Sequence, residues 1–290
     1  MTILADENTR VIVQGITGRI GAIQTRLMLD YGTRIVAGVT PGKEGQTIEG
    51  IPVYDTVEDA RRKHSADASI IFVPAPFAKD ATFEAIEAGV KLIVIVTERI
   101  PIHDSLRMRS FAQKAGATII GPNTPGIISP GKTKIGIMPG NLFNTGNVGV
   151  VARSATLCYE IAGNLTGAGI GQSTCLGIGG DRVTGLNFVE VLNLFQKDEK
   201  TRAVAIVGEV GRTVEEEVAE YVKSGGFNKP IAAFIAGRSA PSGKRLGHAG
   251  AIIERGRGTA ESKVRALQEA GISVLDRPSD IAEVLKHSLL

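Results

Sequence analysis

One histidine in this chain stands where an imidazole could do covalent chemistry. His248 lies in Lys244-Arg245-Leu246-Gly247-His248-Ala249-Gly250-Ala251, downstream of the apolar run Ile231 to Ile235. Gly247 and Gly250 remove side-chain bulk around the ring, and Lys244 and Arg245 supply positive charge. The loop also belongs at the carboxyl end of a strand, where open α/β sheets hold their ligands. These features fit a histidine that accepts and returns a phosphoryl group. Such a nucleophile must be neutral at the attacking nitrogen and oriented through the other, usually by a carboxylate. Glu209 is the candidate orienting group, because Gly208-Glu209-Val210-Gly211 follows the run Ala203 to Val207 and its glycines expose the loop. The competing account of Glu209 is a loop carboxylate in water.

A phosphohistidine needs a cradle for its dianion. The run Val148 to Val151 leads into Arg153-Ser154-Ala155-Thr156 and then a helical pattern with Leu157, Ile161 and Leu165 on one face, so a helix N-terminus with hydroxyls opens at the right sheet edge. Ser154 and Thr156 read equally as simple N-caps. A hydrolase elbow is excluded, since G-x-S-x-G needs glycines where Ala152 and Thr156 stand. Asp181, in Gly177-Ile178-Gly179-Gly180-Asp181-Arg182, either lines the same site or shapes a turn. His64, His103 and His287 fall in or beside helical segments without a glycine frame and read as structural.

The first half carries a second candidate. After Val11 to Gln14 comes Gly15-Ile16-Thr17-Gly18-Arg19-Ile20-Gly21, a glycine turn into a helix of the kind that turns backbone N–H groups toward a phosphate. The spacing is G-x-x-G-x-x-G rather than G-x-G-x-x-G, so a tight turn without a ligand competes. An NAD site would place an acidic residue at the end of the next strand. Here that strand ends Val39-Thr40-Pro41-Gly42-Lys43, and a lysine suits an extra phosphate, as on NADP or coenzyme A. Gly126-Ile127-Ile128-Ser129-Pro130-Gly131-Lys132-Thr133 matches the P-loop letters, but a P-loop needs a strand before it and a helix straight after. Pro125, Pro130 and Pro139-Gly140 deny both, so it is read as a false match.

Positioning these groups requires regular elements, and β-branched runs alternate with helical spacing throughout. Strands are expected at Val11 to Gln14, Ile35 to Val39, Ser69 to Val73, Leu92 to Val96 and Thr118 to Ile120. A second series follows at Val148 to Val151, Ser173 to Leu176, Ala203 to Val207, Ile231 to Ile235 and Ser273 to Leu275. Helices are expected over 156–167, 187–196, 213–224, 259–270 and 279–288. Between the series, breakers from Gly121 to Gly126 and at Pro130-Gly131 and Pro139-Gly140 are too dense for a regular element. The reading is therefore α/β, with two doubly wound parallel-sheet domains meeting near residue 123.

Composition agrees. The chain has 290 residues, 43% hydrophobic and 22% charged, which suits two folded domains rather than disorder. Its net charge of +3 is spread, against a nucleic-acid or membrane surface; the Arg61-Arg62-Lys63 cluster reads as a solvated helix face. Two cysteines, Cys158 and Cys175, make no disulfide framework and suit a reducing compartment, and four histidines offer no zinc cluster. No secretory signal and no membrane span are expected. Glycine, at 36 residues, runs above the usual share of roughly 7%.

In order along the chain, the Gly15–Gly21 loop, Val39-Thr40-Pro41-Gly42-Lys43, Phe72-Val73-Pro74-Ala75-Pro76, Gly177-Ile178-Gly179-Gly180-Asp181 and Gly247-His248-Ala249-Gly250-Ala251 resemble the α subunit of succinate–CoA ligase (succinyl-CoA synthetase). The resemblance implies a Rossmann-like CoA-binding domain over 1–122 and a flavodoxin-like ligase domain over 123–290 that carries the phosphohistidine. It implies CoA contacts from Thr17, Gly18, Arg19, Ile20, Lys43 and Val96, Thr97 and Glu98. His248 would be phosphorylated, Glu209 would steady it, and Tyr159 would lie near the acid. It further implies ATP or GTP with Mg2+ on a separate β subunit with an ATP-grasp domain, an αβ or α2β2 assembly, a cytoplasmic setting and a role in the tricarboxylic acid cycle. Against the family's usual pattern stand Thr124, Ala152, Ala155, Arg99, Arg182 and Arg212. The guanidinium groups either favour an acid with another carboxylate, malate or citrate, or are surface charge. An NADP-dependent oxidoreductase and a CoA-binding module without catalysis are the readings from other classes.

Overall fold

The computed structural model describes residues 2–238, 248–253 and 258–289. Lys244, Arg245 and Gly247, expected around the histidine, lie outside the described residues. The first sheet contains β1 (Arg10–Gln14), β2 (Arg34–Val39), β3 (Thr47–Ile48), β4 (Ile51–Tyr54), β5 (Ala68–Ile71), β6 (Leu92–Ile95) and β7 (Thr118–Ile120), in the spatial order β3-β4-β2-β1-β5-β6-β7. Its pairings are parallel apart from the small β3–β4 hairpin. β5 and β6 are buried at every residue, which is why they read as unbroken apolar runs. Helices α1 (Arg19–Asp30), α2 (Val57–Lys63), α3 (Ala75–Glu87) and α4 (Ile102–Ala115) cover the faces. Arg62 and Lys63, at the end of α2, are exposed, and Arg62 pairs with Glu58 at 2.6 Å, but Arg61 departs from the expected solvated face: its Nη1 donates to the Ala88 carbonyl at the end of α3 and its Nε is buried.

The second sheet contains β8 (Gly126–Ser129), β9 (Thr133–Gly136), β10 (Thr145–Ala152), β11 (Gln172–Gly177), β12 (Ala203–Glu209), β13 (Ile231–Ala236) and β14 (Ser273–Leu275), ordered β14-β13-β12-β10-β11-β8-β9. Five of these strands are parallel in flavodoxin order, with α5 (Ala155–Gly167), α6 (Phe188–Lys197), α7 (Val214–Lys223), α8 (Ala260–Glu269) and α9 (Ile281–Leu289) around them. The doubly wound class holds in both halves, with one correction between them. The breaker-rich stretch after residue 121 is not irregular throughout: β8 and β9 form an antiparallel hairpin, and β8 pairs antiparallel with β11. The glycines there serve close packing, because a Cβ at Gly126 would stand 2.1 Å from the Ile135 carbonyl oxygen. Pro130-Gly131 is the hairpin turn, with Gly131 at φ +75°. The P-loop letters therefore spell a β-hairpin.

The linker between the sheets is packed rather than loose. Thr124 is 3% exposed; its hydroxyl donates to the Gly177 carbonyl and accepts from the Gly126 N–H at 2.9 Å. Gly185 and Leu186, beyond β11, donate to the carbonyls of Gly121 and Ile119 at 2.8 and 2.9 Å, so the loops after β7 and β11 lie side by side. Among the described residues no helix is long and apolar enough to cross a membrane.

Behind the second sheet lies a buried chain of charges. Lys263 on α8 and Glu215 on α7 have fully buried side chains and form an ion pair; Lys263 Nζ also reaches Glu216 at 2.8 Å and donates to the Arg212 carbonyl at 2.9 Å. Burial pushes the Glu215 carboxyl up, but the positive charges of Arg153 and Lys263 outweigh it and hold Glu215 below the usual range. Lys263→Met leaves that carboxylate short of one partner, and we expect a loss of about 3–5 kcal/mol in urea unfolding. A loss under ~1 kcal/mol would show the pair to be dispensable.

Candidate active site

In an open α/β sheet the strand order reverses at a crevice outside the carboxyl ends. In the second sheet that crevice lies between β10 and β12, the strands that end at Ala152 and Glu209. His248 is brought there from 39 residues away: its Nδ1 lies 3.0 Å and 2.9 Å from the two carboxylate oxygens of Glu209. Glu209 is nearly buried, with a side chain 9% exposed, while His248 retains 29%. The carboxylate hydrogen bond raises the His248 pKa above 6.5, against the opposing pull of burial and of the nearby Arg153 charge. With Nδ1 engaged, Nε2 is the nitrogen left to react.

Gly180 explains how the ring fits. A Cβ at this position would meet the imidazole Cγ at 2.5 Å and Nδ1 at 2.6 Å. The glycine run after β11 thus makes room for the histidine, a role that chain order alone did not disclose. Gly180→Ala should displace the ring, lowering the phosphorylation rate by ~10²-fold with little change in melting temperature. A near-wild-type rate in a labelling time course would show that the ring does not need that space.

His248 borders a cavity of about 450 Å³ lined also by Asn123, Asp181, Arg182, Glu98 and Arg99, residues that come from both halves of the chain. Asn123 Nδ2 donates to Asp181 Oδ1 at 3.1 Å, tying the linker to the loop after β11. Asp181 therefore does both things considered for it: it lines the site and shapes the turn. Arg182 Nε donates to the Ala249 carbonyl at 3.3 Å. Arg212 does not line the cavity; its Nη1 donates to the Asp181 carbonyl at 3.2 Å from below. Arg99 and Arg212 hold φ values of +63° and +58°, a region arginine rarely adopts, so both are fixed by their surroundings near the site.

Arg153 is followed by the N-cap of α5. Ser154 accepts from Leu157 N–H at 3.4 Å, so its hydroxyl caps the helix. Ala155 opens the helix and Thr156 is exposed in its first turn, which carries no acidic residue. Tyr159, on α5, lies half-buried against the core, where burial pushes its phenol up to about 12. It does not line the His248 cavity. The other histidines sit as expected: His64 Nε2 meets the Tyr54 hydroxyl at 2.9 Å and His287 Nδ1 faces the Glu283 carbonyl at 2.9 Å, while His103 is exposed on α4.

The first sheet reverses order between β1 and β5, and a second cleft of about 710 Å³ opens there. Gly15, Thr17 and Gly18 form one wall, Thr40 and Pro41 another, and Phe72, Val73, Pro74 and Phe77 an apolar third. The turn is sterically specific. Gly15 has φ +80°, and a Cβ at Gly21 would stand 2.2 Å from the Gly15 oxygen. Gly18 caps α1 without a side-chain hydrogen bond, so the first N–H groups of the helix face outward beside exposed Arg19 and Ile20. Lys43 is exposed, its backbone fixed by Asp55 Oδ1 at 2.9 Å, and is not in the cleft wall. Val96 packs on the core and Thr97 donates to the Val73 carbonyl at 2.6 Å. Glu98 lines the other cavity, while Thr97 ties the same segment to Val73 in the wall of this cleft.

Residues 6–99 match the family model described as a CoA binding domain, and residues 151–273 match the CoA-ligase model. The chain is 57% identical, over the full length of both, to succinate–CoA ligase [ADP-forming] subunit alpha 2 of Archaeoglobus fulgidus. This chain belongs to the succinate–CoA ligase α-subunit family. A second relative, the α subunit of Methanothermobacter thermautotrophicus, is 57% identical over 99% of this chain and 97% of its own. Among solved structures, ATP citrate lyase from Methanothrix soehngenii in complex with citrate and coenzyme A superposes with a TM-score of 0.90 at 26% identity, covering 99% of this chain, which spans 50% of that one. Within the family frame the first-sheet cleft and its glycine loop lie in the CoA-binding domain.

Proposed function

We propose that this chain is the α half of an ADP- or GDP-forming succinate–CoA ligase, with the domain boundary at residues 122/123 and His248 as the phosphoryl carrier. The observation that carries the reading is the Glu209 carboxylate on Nδ1 of a half-exposed imidazole whose ring borders the cavity lined from both halves of the chain. The glycine turn with Thr17, Gly18, Arg19 and Ile20 receives the phosphates of CoA, aided by Lys43 at the rim. The apolar wall takes its less polar arm, and Val96, Thr97 and Glu98 guide the thiol toward His248. ATP or GTP, with Mg2+, sits on a β partner with an ATP-grasp domain, in an αβ or α2β2 assembly in the cytoplasm.

The chemistry follows from the orientation of the ring. Glu209 fixes the Nδ1–H tautomer, so the lone pair of Nε2 attacks the terminal phosphorus and the nucleoside diphosphate leaves with the bridging oxygen. The N-terminus of α5, with Ser154, Ala155 and Thr156, offers backbone N–H groups to the phosphoryl oxygens. A succinate carboxylate oxygen then attacks phosphorus and restores the neutral imidazole. The CoA thiolate attacks the acyl carbon, and inorganic phosphate departs.

A related acid is the second reading, favoured by Arg99 and Arg182 in the wall of the cavity, which suit an additional carboxylate. Co-expression with the β subunit and a screen of succinate, malate and citrate for thioester formation tests both readings. Thioester from succinate supports the first, and a preference for citrate or malate supports the second. Absence of CoA binding by calorimetry would remove both.

A further inference from the structure

Arg153 is buried beside the site, with a side chain 0% exposed, and it touches three separate segments: the end of β12 and the loop after it, α7, and the histidine loop. Its Nη1 donates to the carbonyls of Glu209 at 3.0 Å and Gly211 at 2.9 Å, and to Glu215 Oε1 on α7 at 3.2 Å. Its Nη2 donates to the carbonyl of Gly250, two residues past the histidine, at 3.2 Å and stands 3.1 Å from Glu209 Oε1. Only a planar fork with donors in several directions can serve acceptors spread this way; an ammonium group cannot. Glu215 completes the frame by accepting from Glu209 N–H at 3.2 Å.

We propose that Arg153 is a positioning residue for the phosphorylation step, clamping the Glu209 carboxylate and the His248 loop to each other. This rests on the assignment of His248 as the phosphoryl carrier. A buried guanidinium is a poor device for stability alone, since apolar replacements of buried ion pairs are often neutral or stabilising. Arg153 also leaves its Nε without a hydrogen-bond partner, a further cost that packing would not select. What the group supplies is direction and charge balance. Glu209 without Arg153 would be a desolvated carboxylate whose remaining partner is the imidazole, and it would hold the ring as the imidazolium, which has no lone pair on Nε2 for attack.

Among the described residues, the charges facing His248 are Glu209 from β12, Arg153 from the end of β10, Asp181 and Arg182 from the loop after β11 and Arg212 from the loop after β12, with Glu98 and Arg99 from the segment after β6 lining the same cavity. Of these Glu209 and Asp181 favour the protonated ring and Arg153 opposes it. Removing Arg153 therefore raises the pH at which the imidazole becomes neutral.

The test uses the co-expressed αβ complex with Arg153→Met and Arg153→Lys, reading the rate of His248 phosphorylation against pH and the KM for CoA. For Arg153→Met we expect a fall of ~10²-fold and an acid limb displaced upward by about one pH unit, with the CoA KM within about twofold of wild type. For Arg153→Lys, which keeps the charge but loses the fork, we expect the limb to stay in place and the rate to fall ~10-fold. An unmoved limb in Arg153→Met, or full rate in Arg153→Lys, overturns the clamp. If Arg153→Met does not fold, the rate of Arg153→Lys at unchanged melting temperature decides alone. A wild-type complex that yields no phosphohistidine overturns the ligase reading instead; the clamp is then decided by histidine-ring NMR titration of the complex. A His248 midpoint that rises in Arg153→Met, or peak positions altered in Arg153→Lys, supports the clamp, and spectra matching wild type overturn it.

Discussion

His248→Ala should abolish phosphorylation of the chain. Incubated with the β partner and γ-labelled ATP, the wild type should acquire acid-labile, base-stable label, and the variant none. Thioester formation should fall by ~10⁴-fold or more, because no neighbouring side chain can substitute for a nucleophile held on a carboxylate. The effect should be confined to chemistry. The CoA cleft belongs to the other sheet, so CoA affinity should stay within about threefold. Glu209 keeps Arg153 at 3.1 Å after the ring is gone, so no buried charge is stranded and the fold should survive. Label that persists in His248→Ala would transfer the nucleophile to another residue and dissolve the proposed mechanism.

Glu209→Gln should give the second largest loss, ~10³-fold in the phosphorylation rate, with a change in pH dependence that identifies its cause. The carboxylate accepts from Nδ1–H, fixes the tautomer and stabilises charge on the ring; an amide oxygen can do the first but adds no charge. In the wild type the raised pKa of His248 places the acid limb of phosphorylation above 6.5, since only the neutral ring attacks. In Glu209→Gln burial and Arg153 act without the carboxylate that opposes them, so the limb should move below that of the wild type. The stability linkage has the corresponding sign. A histidine whose folded pKa is raised contributes stability that is fully present below its unfolded pKa and is lost as pH rises through the folded value. The difference in urea stability between wild type and Glu209→Gln should therefore be larger at pH 5 than at pH 9. A variant with wild-type rate and an unmoved acid limb would show that Glu209 does not govern the ring.

Arg99 and Arg182 give the acid site a testable bias. Both line the cavity that His248 borders, and Arg99 is held at a positive φ beside it. A thioester screen that finds succinate alone would assign these guanidinium groups to the cavity wall rather than to a distal carboxylate. Thr124 has a plainer account, since its buried hydroxyl ties the linker to the end of β11.

Local chemistry was enough to determine much of this protein. Strand and helix periodicity, the glycine turn at Gly15 to Gly21 and the histidine framed by Gly250 are written in windows of a few residues, because backbone conformation answers to near neighbours. That is why α/β alternation, the His248–Glu209 pairing and the CoA-binding half were legible before any contact was known. Two kinds of feature were not. β8 and β9 are flanked by proline and glycine densely enough to look irregular, and they become strands because β11 supplies a partner for the hairpin edge. The contacts that Arg153, Gly180 and Asn123 make carry no local signal. Their meaning comes from partners 97, 68 and 58 residues distant: the Gly250 carbonyl on Arg153, the His248 ring against Gly180, and Asp181 on Asn123. Tyr159 shows the same division, since its place on α5 against the core rather than in the cavity is set by which helix face the core covers. Sequence thus determined the candidate reacting group and the carboxylate beside it, while tertiary structure decided what holds them, because a buried charge acquires its partners only when distant strands are brought edge to edge.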